Sequence, residues 1–200
     1  MAEGILLIIS GPSGVGKGTV CRRLAELRTN LLLSVSTTTR PPRPGEVEGR
    51  EYNFVDQARF KEMIKEGAFL EWARVHNNYY GTRLKLVREV LSSGCDLILE
   101  IDVQGAAQVR KNSPASVSVF LSPPSSEALE ERIRGRGTED EPKIRQRLLA
   151  AGEEMKAYHL YDYIVINDQV EDAARLIGAI LDAEKCRVSR GIRPPGWGGE

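Results

Sequence analysis

Cysteine is scarce in this 200-residue sequence: Cys21, Cys95 and Cys186 are odd in number and widely spaced. That excludes a disulfide framework and a cysteine-based metal finger, and it points to reduced thiols in a cytoplasmic protein. Long apolar runs are missing as well. Nothing approaches the ~20 residues of a membrane-spanning helix. The first apolar run, Ile5-Leu6-Leu7-Ile8-Ile9, is short and has no basic segment before it, so it reads as a buried strand rather than a secretory signal. Net charge is also absent, because 28 Lys plus Arg balance 28 Asp plus Glu. Nothing global therefore favours nucleic acid or a membrane surface as a partner. Apolar residues make up 41% of the chain. That is enough core for one compact domain with one or two inserted lobes, without disulfide or metal. Such a chain is expected to be a monomer or small homo-oligomer.

The cations are unevenly divided, with 20 Arg against 8 Lys. Arginine presents a planar fork of donors that matches phosphate. Composition alone explains most of these residues equally well, and only those singled out below call for more.

Strand and helix signals alternate along the chain. The run from Ile5 to Ser10 is continuously apolar, as in a strand buried on both faces. A helix follows over 17–28, with Val20, Leu24 and Leu27 on one face. Asp56 is placed to cap a helix carrying Phe60, Met63 and Ile64 that Gly67 stops. The segment 69–75 is extended, and 83–91 is helical. Further buried strands are expected at 96–102, 116–121 and 163–166, with helices over 125–134, 142–158 and 170–186. This alternation predicts an α/β fold of three layers with a parallel core sheet. The stretch 36–83 interrupts it as an inserted lobe of mixed α/β structure. The charged segment 125–147 reads as a mobile helical lid. The core is then 1–35, 84–124 and 148–186, and the Gly-, Pro- and Arg-rich tail 187–200 is expected to be disordered.

The first strand runs into Gly11-Pro12-Ser13-Gly14-Val15-Gly16-Lys17-Gly18-Thr19. Gly11, Gly16 and Lys17 have the spacing of a P-loop, in which backbone N–H groups converge on phosphate oxygens and the next helix turns its positive end to the anion. Lys17 supplies a mobile charge for the β- and γ-phosphates. One feature departs from the usual pattern: Gly18 stands where a hydroxyl normally ligates Mg²⁺, and Thr19 comes one residue later. Mg²⁺ is then expected to be held through phosphates and waters, with Thr19 and Asp102 as possible direct contacts. The strand at 96–102 ends in Glu100 and Asp102, acids that support Mg²⁺ or the nearby substrate.

The segment Ser36-Thr37-Thr38-Thr39-Arg40-Pro41-Pro42-Arg43-Pro44-Gly45-Glu46 offers hydroxyls and two arginine forks on a proline-stiffened loop, chemistry suited to a monophosphate. Several blocks in order carry a more specific likeness: 34–46, Gly49-Arg50-Glu51-Tyr52-Asn53-Phe54-Val55, Phe69-Leu70-Glu71-Trp72-Ala73, Asn78-Tyr79-Tyr80-Gly81-Thr82, 100–105, Gly135-Arg136-Gly137-Thr138 and Ile164-Val165-Ile166-Asn167-Asp168. Together they resemble guanylate kinase, over about residues 4–185.

The resemblance implies ATP-dependent phosphorylation of GMP to GDP, with activity on dGMP also expected, as part of purine metabolism. It implies a GMP phosphate pocket made by Ser36, Arg40, Arg43, Glu46, Tyr52 and Tyr80. Glu71, Thr82 and Asp102 are implied as guanine readers, with Glu100 beside them. A carboxylate suits the N1–H and 2-amino donors of guanine, and a hydroxyl suits O6. Arg136 and Arg147 resemble lid arginines that close over the ATP phosphates, and nearby Arg132, Arg134 and Arg145 are placed to share that work. Asn167 is implied on the adenine side. Lys17, Arg43, Arg136 and Arg147 would then stabilise an in-line transfer that needs no general base, because the nucleophile is already an anion. Two alternatives stay open. One is a kinase for another nucleoside monophosphate. The other is a non-catalytic peptide-binding module, against which the retained Gly11, Gly16 and Lys17 argue.

Overall fold

The computed structural model describes residues 3–75, 77–135 and 140–191. Its core is a five-stranded sheet built from β1 (Leu6–Ser10), β2 (Leu31–Leu33), β7 (Asp96–Glu100), β8 (Val117–Ser122) and β9 (Tyr163–Ile166), in the order β2-β7-β1-β8-β9. All its pairings are parallel, with Leu7 opposite Ile98 on one side and Val117 on the other. The apolar run of β1 has the expected cause. Leu7 and Ile9 face one cluster together with Val20, Leu24 and Ile177, while Leu6 and Ile8 face another with Val87, Leu91 and Val109. Helices α1 (Lys17–Glu26) and α7 (Val170–Lys185) supply the first cluster, and α3 (Leu84–Ser92) and α4 (Val103–Asn112) the second. Because β7 and β8 flank β1, the chain leaves β1 at a topological switch point, the usual place for a ligand in such sheets.

A second sheet, ordered β4-β3-β6-β5, joins β3 (Thr37–Thr38), β4 (Asn53–Phe54), β5 (Phe69–Val75) and β6 (Asn78–Arg83), with α2 (Gln57–Lys65) alongside. These elements occupy the stretch expected to interrupt the α/β alternation. Asp56 caps α2 as its position suggests, accepting from the N–H of Arg59 at 2.7 Å. Strand β5 lies at the sheet edge, and α4 satisfies its backbone with side-chain amides. Gln108 donates to Trp72 O at 2.8 Å and accepts from Trp72 N–H at 3.2 Å, and Asn112 donates to Leu70 O at 2.8 Å. The second sheet is thus fastened to the core beside the C-terminal end of β7.

Helices α5 (Ser126–Arg134) and α6 (Glu141–Met155) pack through Leu129, Ile133, Ile144 and Ala151, a small cluster of their own. Three differences from the sequence reading stand out. Helix α4 and strand β2 were not anticipated. A lid ending at residue 147 would cut α6, which runs unbroken to Met155, so residues 148–155 belong mechanically with the helix that carries Arg147. The chain also stays ordered past Lys185: Arg190 donates to buried Glu184 at 3.0 Å and to Ala115 O at 3.2 Å, which fixes a short turn at Val188–Arg190. The remainder of the expected tail, 192–200, lies outside the described residues.

Candidate active site

The loop between β1 and α1 is shaped by backbone that side chains would obstruct. Gly11 has φ +147°, and a Cβ there would sit 2.2 Å from Leu121 O on β8. Gly14 and Gly16 also have positive φ, and Gly16 caps α1. Lys17 folds back over the loop, donating from Nζ to Gly11 O at 2.7 Å and to Pro12 O at 3.1 Å. Burial holds its ammonium pKa below the ordinary value, opposed by the carboxylates of Glu154, Glu100 and Asp102. Gly18 has a steric role as well. A Cβ at this position would meet the Glu100 carboxylate oxygens at 3.2 and 3.3 Å. The missing hydroxyl therefore makes room for an acid at the end of β7. A cavity of ≈ 290 Å³ opens here, lined by Gly14, Gly16, Lys17, Thr19, Glu100 and Arg147 among others.

A second cleft of ≈ 480 Å³ adjoins the first and shares Ser13, Lys17 and Glu100 with it. Its far wall is the second sheet, where Ser36, Tyr52, Glu71 and Tyr80 line it, and Asp102 and Glu154 line the core side. Glu71 is 5% exposed, and Thr82 is fully buried behind it, donating to Glu71 Oε1 at 2.7 Å. Burial pushes the Glu71 carboxyl up to about 7, the Thr82 hydrogen bond opposes this, and the nearby Asp102 charge adds to it. Among the described residues no cation pairs with Glu71, and a buried carboxyl with a raised pKa in a cleft is a candidate ligand-binding group.

The family model described as Guanylate kinase matches residues 3–184, nearly the whole described chain. The chain belongs to the guanylate kinase family. Among curated relatives, the guanylate kinase of Caldanaerobacter subterraneus subsp. tengcongensis is 51% identical over 188 residues, covering 94% of this chain and 91% of the relative. That of Clostridium tetani is 49% identical over 190 residues, covering 95% and 91%. Among solved structures, guanylate kinase from Anaplasma phagocytophilum superposes with a TM-score of 0.78 at 35% identity, covering 94% of this chain and 90% of that one.

In this guanylate kinase fold, the residues singled out from the sequence fall into three groups. Gly11 to Thr19 form the loop, and Ser36, Tyr52, Glu71, Tyr80, Glu100 and Asp102 gather at the second cleft. Arg40, Arg43, Glu46 and Thr82 do not line that cleft. Arg40 is paired instead, donating to both oxygens of Glu46 at 2.7 and 2.9 Å and standing over the Tyr52 ring. Glu46 also accepts from the Arg43 N–H at 2.8 Å, which folds the loop back on itself, and the Arg43 side chain is exposed. Arg136 lies outside the described residues. The hydroxyl proton of Thr82 is directed at Glu71, so donating it to O6 would require the hydroxyl to turn. Asp102 spends Oδ1 as the cap of α4, accepting from Gly105 N–H at 2.8 Å.

The structure also brings in contacts that sequence reasoning did not. Asn167, expected on the adenine side, is 2% exposed and donates from Nδ2 to Val15 O at 2.7 Å, while its Oδ1 has no hydrogen-bond partner among the described residues. Arg132 donates to Asn167 O at 2.8 Å and so ties α5 to the end of β9. Arg134 is committed to Glu130 at 2.7 Å and Glu141 at 2.6 Å, and Arg145 leans on Glu141 at 3.5 Å. Arg147 reaches the loop, donating to Ser13 Oγ at 3.0 Å. Glu154 joins it there, accepting from Ser13 N–H at 2.8 Å. Glu154 follows Arg147 by two helical turns on the predicted helix, and that spacing was the available signal.

The raised Glu71 carboxyl predicts a pH dependence. If Glu71 receives the guanine donors, only its ionised form can accept from them, so GMP binding would expel the proton wherever Glu71 is protonated. GMP affinity should therefore rise with pH through about 7 and level off above it, changing by up to about tenfold per unit on the acid side. For the free protein the sign is opposite. A carboxyl raised on folding stabilises the fold below the ordinary carboxylate pKa, and that contribution fades as pH rises toward 7. Calorimetric GMP titrations from pH 5.5 to 8.5 test the first point. The GMP phosphate itself titrates near pH 6, so Glu71→Gln serves as the control in which the step near 7 should vanish. A wild-type affinity flat between pH 6 and 8 would contradict the assignment.

Proposed function

We propose that this chain transfers the γ-phosphoryl group of ATP to GMP, giving ADP and GDP, with ATP phosphates over the Gly11–Thr19 loop and GMP in the adjoining cleft. The observation that carries the reading is the shared wall: Ser13, Lys17 and Glu100 line both cavities, so an acceptor phosphate and a donor phosphate would meet at Lys17. Little covalent chemistry is asked of the protein. The attacking oxygen is already anionic, and charge spreads over the transferred group, so positioning and cationic stabilisation supply the rate.

Lys17 would release Gly11 O and Pro12 O to reach the phosphates. Arg147, already at Ser13, would add a second cation, with Arg136 completing the set. Arg40, Arg43, Ser36, Tyr52 and Tyr80 would take the GMP phosphate, and Glu46 holds Arg40 in place until it arrives. Glu71 would accept from guanine N1–H and the 2-amino group, with Asp102 Oδ2 beside it. The Thr82 hydroxyl would turn to O6 once guanine donors satisfy Glu71. Asn167 braces the loop, and its Oδ1, unpartnered among the described residues, is the atom it would offer toward the adenine side. Closing the cleft would exclude the water that otherwise hydrolyses ATP.

Among the described residues no group of three metal-ligating side chains converges. The residues present suit a mostly hydrated Mg²⁺: Thr19 is exposed at the start of α1, and Glu100 fills the space that Gly18 leaves beside it. Glu100, Thr19 and Asp102 would hold its water shell. Mg²⁺ bound to ATP supplies neutralisation of phosphate charge.

Arg43→Ala tests the division into two sites. Its place on the second-sheet side predicts a large rise in KM for GMP, on the order of tenfold or more for a lost charge-assisted contact. Binding of a non-hydrolysable ATP analogue without GMP should be unchanged by calorimetry. Equal damage to both would contradict the division.

A further inference from the structure

We infer that Glu154 is a positioning residue that occupies the donor-phosphate cradle when it is empty and must be displaced by the incoming nucleotide. The inference rests on the proposed seat of ATP over the Gly11–Thr19 loop. P-loops bind phosphate through exposed backbone N–H groups, and any anion satisfies such donors. Here the Ser13 N–H already has one: the Glu154 carboxylate accepts from it at 2.8 Å. Glu154 comes from α6, remote in sequence, and no neighbouring turn forces its presence at the loop. It is half-buried, and it is the foremost of the carboxylates that favour the charged form of Lys17.

The geometry links this contact to the lid. Arg147 and Glu154 project from one face of α6 two turns apart, and both end on Ser13, Arg147 at Oγ and Glu154 at N–H. One helix thus presents a cation and an anion to a single residue of the cradle. An entering phosphate attracts the first and repels the second. It can take the Ser13 N–H only if Glu154 withdraws, while Arg147 gains a partner. The exchange of carboxylate for phosphate therefore biases α6 as a rigid unit, since the helix is continuous to Met155. Only ligands with phosphates at the cradle can drive it.

The side chain also faces the acceptor cleft, which it lines together with Asp102 and Glu100. A carboxylate at this junction keeps Lys17 compensated when no nucleotide is present. Its charge opposes the burial that lowers the pKa of the Lys17 ammonium, which is held over the carbonyls of Gly11 and Pro12.

The test is calorimetry of a non-hydrolysable ATP analogue, without GMP, on the full-length wild type, Glu154→Gln and Glu154→Ala. Glu154→Gln keeps the shape and an acceptor for the Ser13 N–H but removes the charge. Loss of the repelling anion should tighten analogue binding about three- to tenfold in both variants, with kcat changing less than KM for ATP. A residue that merely braced the loop would give the opposite pattern: weaker binding in Glu154→Ala and rescue in Glu154→Gln. Unchanged or weakened binding in a folded Glu154→Gln protein overturns the inference. A crystal structure of the wild type with the analogue gives an independent reading. Glu154 should have left the Ser13 N–H, and a retained contact overturns the inference whatever the variants do. A wild type that did not bind the analogue at all would overturn the donor-site assignment, and the inference with it.

Discussion

Lys17→Ala should fold normally and lose phosphoryl transfer by on the order of 10³-fold in kcat, about 4 kcal/mol of transition-state stabilisation. The fold should survive because other groups hold the loop. The positive-φ glycines set its path, Asn167 grips Val15 O at 2.7 Å, and Arg132 ties the end of β9 beside it. What the variant loses is, among the described residues, the one cation that lines both cavities. Among the described residues Lys17 donates to the backbone carbonyls of Gly11 and Pro12, contacts that water can replace. In the proposed transition state it would face developing phosphate charge that water could not neutralise in a closed cleft. Melting temperature and single-turnover rate measured side by side separate the two effects. A folded variant with near wild-type turnover would remove Lys17 from the chemistry.

The second large effect is base choice. The wild type should prefer GMP to AMP by roughly 10⁴–10⁵ in kcat/KM, the range seen when a site built for hydrogen bonds meets an analogue that lacks them. Adenine presents a lone pair at N1 where guanine presents N–H, and it has no 2-amino group. Against ionised Glu71 that is repulsion in a site 5% exposed, where little water can intervene. The raised Glu71 carboxyl adds a condition: once protonated, Glu71 can donate to adenine N1. Discrimination should therefore be largest above pH 7 and shrink on the acid side. Steady-state rates for both nucleotides at pH 6 and pH 8 check the size of the preference and its direction of change. A preference that did not grow with pH would separate it from the ionisation of Glu71.

These effects rest on features that the sequence exposes to different degrees. The loop at 11–19 is legible because its demands are local: a buried strand, glycines where backbone must approach backbone, and a helix to follow. The strands were legible for a related reason, since burial on both faces leaves continuous apolar runs. Helix α4 escaped because its exposed face carries Gln108 and Asn112, whose amides serve the edge of β5, and Gly105 sits in its first turn, so the apolar period is broken. Strand β2 is three residues long with only Leu31 buried, too short to leave a period. Arg132 and the burial of Asn167 depend on contacts between elements distant in sequence, and nothing in their own neighbourhoods announces them; for Glu154 the only local signal is its two-turn spacing from Arg147. The Arg40 to Glu46 pairing is nearer in sequence, but both residues suit a phosphate pocket equally well whether paired or free. Glu71 was legible only through the family resemblance, because an acid on a short strand otherwise reads as a solvent-facing residue.

The most direct test of the account compares kcat/KM for GMP and AMP in wild type and Glu71→Gln at pH 8. The amide keeps one acceptor but loses the charge, and a charge-assisted hydrogen bond contributes about 1.5–3 kcal/mol. Glu71→Gln should lower kcat/KM for GMP roughly ten- to a hundredfold while that for AMP falls less or improves. Equal losses for the two nucleotides would contradict it, leaving Glu71 a structural residue and the guanine site without its reader.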